Sequence, residues 1–405
     1  LSSIVALKPD TGEYVWHFQT TPGDQWDFTA TQHMILADLK IGNKLRKVLM
    51  QAPKNGFFYV IDRITGEFIS GKNFARVTWA TGLDPETGRP EIVKEAFYHL
   101  TGKPFMSHPG PMGAHNWHPM SFNPKSGLVY FSAQDLGFPY IADENFVAQK
   151  LAVNLGIDLE AAALPDDQET RDKIRKSLTG RLVAWDPVNQ KEVWRVEHGG
   201  PWNGGTLSTA GGLVFQGNRN QEFAAYDSLT GKKLWGKNVQ TGVVAAPISY
   251  SLDGEQYVAL VAGWGGVLPL LLGELSHSDD GPIPNRSRVL VYKLGGNKKL
   301  PEPKDFKPEI SIPKQFADLQ NIAAGKTLYA RNCAGCHGDT AVSGGVLPDL
   351  RKSYSTHDRK VWNLIVGKGA LESRGMVGFS SELSPQSIED IRSYVIQRAQ
   401  SLKQN

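Results

Sequence analysis

Ala225-Tyr226-Asp227-Ser228-Leu229-Thr230-Gly231-Lys232-Lys233-Leu234-Trp235 reads as a strand, a tight polar turn and a second strand. An Asp/Thr-Gly turn joins the two β-runs, and the tryptophan is placed to pack between neighbouring sheets. The pattern A-x-D-x-x-T-G-x-x-x-W returns from Ala184 to Trp194, with Asn189-Gln190 in place of Thr-Gly. It returns from Ala6 to Trp16 with Lys8 where Asp is expected, and from Val60 to Gly66 without the tryptophan. The step from Ala184 to Ala225 is the length of one four-stranded blade of a β-propeller. Composition agrees: 42 Gly, 24 Pro and 10 Trp in 405 residues describe a β-rich chain with many turns. An apolar content of 40% is ample for a large core and more than one domain. The net charge of +3 is too small for a nucleic-acid footprint. No run of 18 apolar residues reads as a membrane helix. The expected fold is an all-β propeller over residues 1–294, followed by a small all-α domain.

One stretch breaks the rhythm. Residues 138–180 include Asn145 to Leu151 and a charged run from Asp166 to Lys176, and read as an insertion with exposed helical turns. The opening Leu1 to Leu7 is already a β-run, and the repeats account for only part of a closed ring. An open ring exposes strand edges, so the expectation is a partial propeller whose N-terminal portion lies outside this sequence.

The only two cysteines sit in Cys333-Ala334-Gly335-Cys336-His337. CxxCH is the attachment signature of a c-type haem, with two thiols bonded to the porphyrin and the adjacent His on the iron. Zinc would want a second ligand pair and no further Cys exists; a thioredoxin-like CxxC would need βαβ surroundings, which are absent. For the sixth iron position, Met376 lies in Arg374-Gly375-Met376-Val377-Gly378-Phe379, a loop just before the last helix. His357 is the alternative, in a polar run that reads as solvated surface. Residues 317–331 are expected to be helical, with apolar positions Leu319, Ile322, Ala323 and Leu328. Ser384-Pro385 opens a terminal helix with Ile388, Ile391, Tyr394 and Val395 on one face. Gly325 would permit a close crossing of the two. Residues 317–405 thus read as a cytochrome c domain, and the Pro/Lys-rich stretch 295–316 as an extended, semi-rigid linker.

Several runs together resemble the PQQ-dependent alcohol dehydrogenases: Thr21-Pro22-Gly23-Asp24-Gln25-Trp26-Asp27-Phe28-Thr29, Ala52-Pro53-Lys54-Asn55-Gly56, and Gly113-Ala114-His115-Asn116-Trp117-His118-Pro119. Pro201-Trp202-Asn203-Gly204-Gly205 and Gly263-Trp264-Gly265-Gly266 extend the likeness, which covers essentially the whole chain. With CxxCH behind them, the whole is similar to the quinohaemoprotein members of that family.

The resemblance implies an eight-bladed propeller with PQQ on its axis beside a divalent metal. It places Asp27 as the catalytic carboxylate, near the metal, and Lys54 as the cation facing the quinone oxygens. Read without it, Asp24 and Asp27 would shape a polar turn, and Lys54 would be turn surface. Asn116 and Trp117 match residues lining the PQQ pocket, and Trp202 and Trp264 would lie near the axis or serve as blade packing. Thr29 stands where lanthanide-using relatives carry a second Asp, so Ca²⁺ is the expected ion. Other metal ligands and an adjacent-cysteine disulfide of the family precede this sequence, so its PQQ cage is expected to be incomplete and residues 1–405 alone inactive.

The function so implied is oxidation of a small alcohol, with PQQ as hydride acceptor and haem c passing electrons to a soluble cytochrome c or a copper protein. A PQQ dehydrogenase for a polyol or polymeric alcohol, and a non-catalytic propeller with a tethered electron-transfer cytochrome, are the other readings. The Asp27–Lys54 pair argues against the last. Covalent haem attachment implies maturation in the periplasm.

Overall fold

A computed structural model describes residues 1–148, 154–165, 167–303, 310–317 and 319–403. The chain divides into two compact units. One comprises Leu1–Tyr140, Lys173–Trp264 and Ile283–Leu300; the other comprises Ile141–Asp172, Gly265–Pro282 and Pro301–Asn405.

The first unit is built of antiparallel sheets of propeller type. Three have four strands in sequential order, spanning Met34–Asn73, Ser121–Glu197 and Thr206–Asn238; a fourth has three strands between Ile248 and Lys293. Ser3–Leu7 pairs with Tyr14–Gln19 as a two-stranded sheet. Inner strands such as Phe57–Asp62 and Leu128–Asp135 are buried along nearly their whole length, as strands covered on both faces must be.

The repeat has a physical basis. In the copy that decides the fold, Asp227 Oδ1 accepts from the Leu229 and Thr230 amides at 3.0 and 2.9 Å and from the Thr230 hydroxyl at 2.9 Å. Gly231 then takes φ +70°, and a Cβ there would meet the Trp194 ring at 2.6 Å. Trp16 lies in the same way on Gly66. The tryptophan of one copy therefore lies on the turn glycine of the next, so turn and tryptophan recur together. The same turn occurs at Asp84, which accepts from the Thr87 amide at 2.7 Å within a two-stranded ribbon, Ala80–Leu83 with Pro90–Ile92. Sequence reading passed over that ribbon because it carries no tryptophan.

In the second unit the helices Leu319–Asn332 and Pro385–Ala399 cross closely. Ser384 caps the latter, its hydroxyl accepting from the Ser387 amide at 3.0 Å, with Pro385 in the first turn. Ile388, Ile391, Tyr394 and Val395 are all buried, as their spacing required. A Cβ at Gly325 would collide with the Asp390 carbonyl oxygen, so only glycine permits this crossing. The first helix differs from expectation: Leu319 and Ala323 are exposed, and Gly325 and Tyr329 form its buried stripe. Ile322 and Leu328 do pack against the apolar cluster around Tyr329, on the side marked by Gly325, which carries no hydrophobic signal in the sequence.

The stretch 295–316 is not a free linker throughout. Gln315 Nε2 donates to Ser393 O at 2.9 Å, Gln400 Nε2 to Pro313 O at 3.0 Å, and the Arg392 guanidinium lies 4.2 Å from the Phe316 ring centre. The Pro308 portion lies outside the described residues, as do residues 149–153 and Asp166 of the 138–180 stretch. That stretch contains the helix Gln168–Ser177. Within its charged run, expected to be exposed, Arg171 is buried; it pairs with Glu274 and with Asp339 at 2.9 Å. Arg171→Leu would leave two carboxylates without their counter-charge. It should destabilise the second unit by about 3–5 kcal/mol, read as a lower denaturation midpoint followed at the haem.

Candidate functional site

The Asp27 loop is shaped from both sides. Trp26 and Phe28 are fully buried in an aromatic cluster with Trp79, at ring distances of 5.1 to 5.6 Å. Tyr140 Oη donates to Trp26 O at 2.8 Å. Burying residues 26 and 28 turns the intervening Asp27 outward, and its side chain is 59% exposed. Asp24 is the turn-former, accepting from the amides of Trp26, Phe28 and Thr29 at 3.0, 3.2 and 2.9 Å. The two aspartates thus divide the roles that sequence alone left open. Asp27 and Thr29 both have positive φ, +59° and +52°, an uncommon conformation for a β-branched Thr; such strain costs on the order of 1–3 kcal/mol and clusters at functional sites.

Lys54 meets Asp27 from beneath. Its Nζ donates to Asp27 Oδ2 at 3.0 Å and to Asp27 O at 2.7 Å, and its side chain is only 10% exposed. Gly113 presses on the Lys54 stem, where any Cβ would clash, and the Ala114 amide donates to Lys54 O at 2.9 Å. Lys54 is therefore a buried, oriented cation. Asp27 Oδ1 makes no hydrogen bond among the described residues.

The His115–His118 stretch forms a stacked wall. Trp117 is half exposed and stacks on His118 at 4.4 Å; His118 meets the Trp202 ring edge-on at 4.7 Å. Trp202 is fully buried at φ +69°, its amide donating to Gln134 Oε1 at 3.0 Å. Gln134 Nε2 donates to Gly113 O at 3.0 Å, linking Trp202 to the loop beneath Lys54. Burial pushes His115 down to about 4, against the carbonyls of Ala52 and His118; burial, then His115, pushes His118 to about 3. Both rings are neutral near pH 7.

Asn116 is engaged by its own loop: Nδ2 donates to Met112 O at 2.9 Å and Oδ1 accepts from the Trp117 amide at 2.8 Å. Its second Nδ2 hydrogen and one Oδ1 lone pair are left for a ligand. Trp264 is buried against Gly242 and Ile283, with the Arg219 guanidinium 5.8 Å from its ring centre. Gln134 and Arg219 escaped sequence reading, since neither lies in a recognisable motif.

In the second unit, Cys333 ends one helix and the turn Ala334–His337 follows it. Both cysteines are free thiols, Cys333 buried and Cys336 exposed. Burial, with a smaller contribution from Cys336, pushes the Cys333 thiol up to about 12. Tyr329 Oη donates to Gly338 O at 2.7 Å and ties the turn to the helix. His337 Nδ1 is buried without a well-formed hydrogen bond; burial lowers this imidazole and the Pro348 carbonyl partly opposes that. Met376 packs against the same apolar cluster as Cys333. Its loop is braced by the π-turn Asn363–Gly367, with the Phe379 amide donating to Val366 O at 2.9 Å. His357 is exposed and its Nε2 bonds to Ser311 O at 2.9 Å.

Fold and motifs together define a PQQ-type propeller joined to a c-type cytochrome. Residues 1–78 and 164–258 match the family described as "Glucose/ethanol/alcohol dehydrogenase, beta-propeller domain", and residues 320–395 match "Cytochrome C oxidase, cbb3-type, subunit III". The chain is 48% identical to an "Alcohol dehydrogenase (quinone), dehydrogenase subunit" of Komagataeibacter europaeus, over 98% of this chain and 54% of the relative. It is 47% identical to the "Quinohemoprotein alcohol dehydrogenase ADH-IIG" of Pseudomonas putida, over 100% of this chain and 56% of that one. The solved structure of quinohemoprotein alcohol dehydrogenase ADHIIG from Pseudomonas putida HK5 superposes with a TM-score of 0.94 at 46% identity, covering 100% of this chain and 59% of that chain. The chain belongs to the PQQ-dependent quinohaemoprotein alcohol dehydrogenase family. It spans about half the length of the curated relatives it matches.

Proposed function

We propose that this chain carries the catalytic carboxylate and the electron-exit haem of an enzyme that oxidises alcohols to aldehydes or ketones. The observation that carries this reading is the ion pair of buried Lys54 with outward-turned Asp27. A binding propeller has no use for an oriented, buried cation under a strained carboxylate. Asp27 Oδ1 would take the hydroxyl proton of the alcohol. Lys54 holds the other oxygen, fixes the carboxylate's direction, and places positive charge where negative charge develops on a neighbouring acceptor. The Trp117 face and the second Nδ2 hydrogen of Asn116 would line the pocket. PQQ, when bound, supplies the acceptor for the hydride leaving the alcohol carbon.

The residues present fit a hard divalent cation in part. Asp27 offers one open carboxylate oxygen, and no group of three His, Cys, Asp or Glu side chains occurs among the described residues. Thr29 adds no charge; its hydroxyl lies 3.4 Å from that of Thr31. One carboxylate suits Ca²⁺ better than a trivalent ion. The CxxCH turn fits haem c: two free thiols flank one helical turn, His337 follows, and Met376 shares the apolar cluster. Haem c, when bound, carries electrons onward singly, to a soluble cytochrome c or a copper protein. Thioether ligation favours the reduced iron and suits an acceptor. Met376→Ala should abolish the weak Met-to-iron charge-transfer band while the covalent haem remains; an intact band would remove Met376 as ligand.

A covalently attached haem would call for maturation in the periplasm; no helix among the described residues is long and apolar enough to cross a membrane. The test is dye reduction by the intact protein with PQQ and Ca²⁺, using primary and secondary alcohols, polyols and a polymeric alcohol. Turnover of simple alcohols supports the proposal, turnover of polyols alone changes the substrate class, and no turnover leaves a scaffold. Activity of metal-free protein restored by a lanthanide and not by Ca²⁺ would overturn the metal assignment.

A further inference from the structure

We propose that Gln134 is a positioning residue for the alcohol oxidation, holding Lys54 and the Trp117 wall in one fixed geometry; this rests on the reading of Asp27 and Lys54 as the reacting pair. Gln134 lies on the inner strand Leu128–Asp135 and is only 4% exposed, so it acts through its neighbours. Its side chain makes three hydrogen bonds: Nε2 donates to Met112 O at 3.2 Å and to Gly113 O at 3.0 Å, and Oε1 accepts from the Trp202 amide at 3.0 Å. The two carbonyls can only accept and the backbone amide can only donate, so these partners fix which way the side-chain amide faces. The Gln134 backbone N–H adds a bond to Ala114 O at 2.8 Å.

Each partner leads to a group of the site. Gly113, at φ +73°, lies so close to Lys54 that a Cβ there would stand 2.4 Å from Lys54 Cγ and 2.7 Å from its Cα. The Ala114 amide donates to Lys54 O at 2.9 Å. Fixing residues 113 and 114 therefore fixes the Lys54 stem, and with it the Nζ held on Asp27. Met112 O also accepts from Asn116 Nδ2 at 2.9 Å, so the carbonyl that Gln134 orients holds the Asn116 side chain as well. Trp202 has φ +69°, a left-handed conformation that a bulky residue keeps only where its surroundings over-determine it. The bond to Gln134 is one such constraint, and the Trp202 ring backs His118, on which Trp117 stacks. One buried amide thus ties the cation to the aromatic wall, and an apolar side chain of the same length would make none of its bonds. Reacting groups tolerate little displacement, since an error of about 1 Å can cost 10²-fold in rate.

The experiment is steady-state oxidation of a primary alcohol by the intact dehydrogenase loaded with PQQ and haem, with rates counted per bound PQQ. Gln134→Glu keeps an acceptor for the Trp202 amide and has no NH₂ for Met112 and Gly113; Gln134→Met loses all three bonds. Each should lower kcat by about tenfold to a hundredfold and leave KM within about threefold. On a Lys54→Met background no ammonium is left to orient, so Gln134→Glu should cost less than about threefold more. Should Gln134→Glu not fold, Gln134→Met carries the comparison of kcat with KM. Fewer PQQ sites with kcat per site unchanged, a raised KM alone, or losses that multiply in full with Lys54→Met would overturn the role of Gln134. If Asp27→Asn abolishes turnover and both Gln134 variants keep it, this proposal fails alone. If Asp27→Asn keeps turnover too, it fails together with the Asp27–Lys54 reading.

Discussion

Asp27→Asn in the intact dehydrogenase lowers alcohol turnover by about 10²- to 10⁴-fold, the contribution of a positioned base. The substitution is nearly isosteric, and the loop has independent anchors in Trp26, Phe28 and the amides gathered by Asp24. Lys54 can still donate to the Asp27 backbone oxygen, so the cation stays in place. What disappears is the proton acceptor. The haem, in the other unit, remains reducible by a chemical donor, so chemistry and electron exit separate in one variant. Steady-state dye reduction and the reduced haem spectrum check this together. Turnover within a few-fold of the parent removes Asp27 as the base.

Gly325→Leu should be the most damaging single change in the helical unit. The atom facing the missing Cβ is the Asp390 carbonyl oxygen, on the backbone of the helix Pro385–Ala399. A backbone atom inside a helix cannot rotate away, so the two helices must part. Around the crossing, Asn321 Nδ2 donates to Asp390 Oδ1 at 2.9 Å and the Tyr329 and Tyr394 rings lie 5.2 Å apart. Overpacking a close-packed core costs typically 1–3 kcal/mol, and an immovable neighbour puts this case at about 3 kcal/mol or above. Because Tyr329 also holds Gly338, parting the helices loosens the CxxCH turn. Thermal unfolding followed at the haem should show a midpoint lower by several degrees and a weakened Met-to-iron band. An unchanged midpoint would mean that the helices do not cross at Gly325.

Much of the site was legible because its signals are local. CxxCH must be contiguous to bind two thiols and an imidazole to one porphyrin. Ser384-Pro385 announces a helix start because the cap and the first turn are adjacent in sequence. Asp24 and Asp27, three residues apart and of the same type, could not be told apart that way. Their division follows from which amides the loop turns toward Asp24 and which buried cation approaches Asp27. Likewise Leu319 looked like core and is surface, because the stripe of its helix is set by Gly325 against a partner 65 positions later. Arg171 gave no signal in its charged run; its burial depends on Glu274 and Asp339, more than a hundred residues onward.

Sequence by itself determined the turn-and-tryptophan repeat and hence the propeller class, the contiguous CxxCH motif, and the terminal helix with its buried face. These rest on spacing along the chain, through the two-residue period of strands, the 3.6-residue period of helices and fixed turn chemistry. Only the tertiary structure decided that Lys54 pairs with Asp27 and not with solvent, that Gln134 ties Trp202 to the loop beneath Lys54, and that Arg171 is interior. Each of those depends on which distant segment arrives alongside. Packing selects that neighbour through burial and hydrogen-bond satisfaction, and no spacing within a single segment records it.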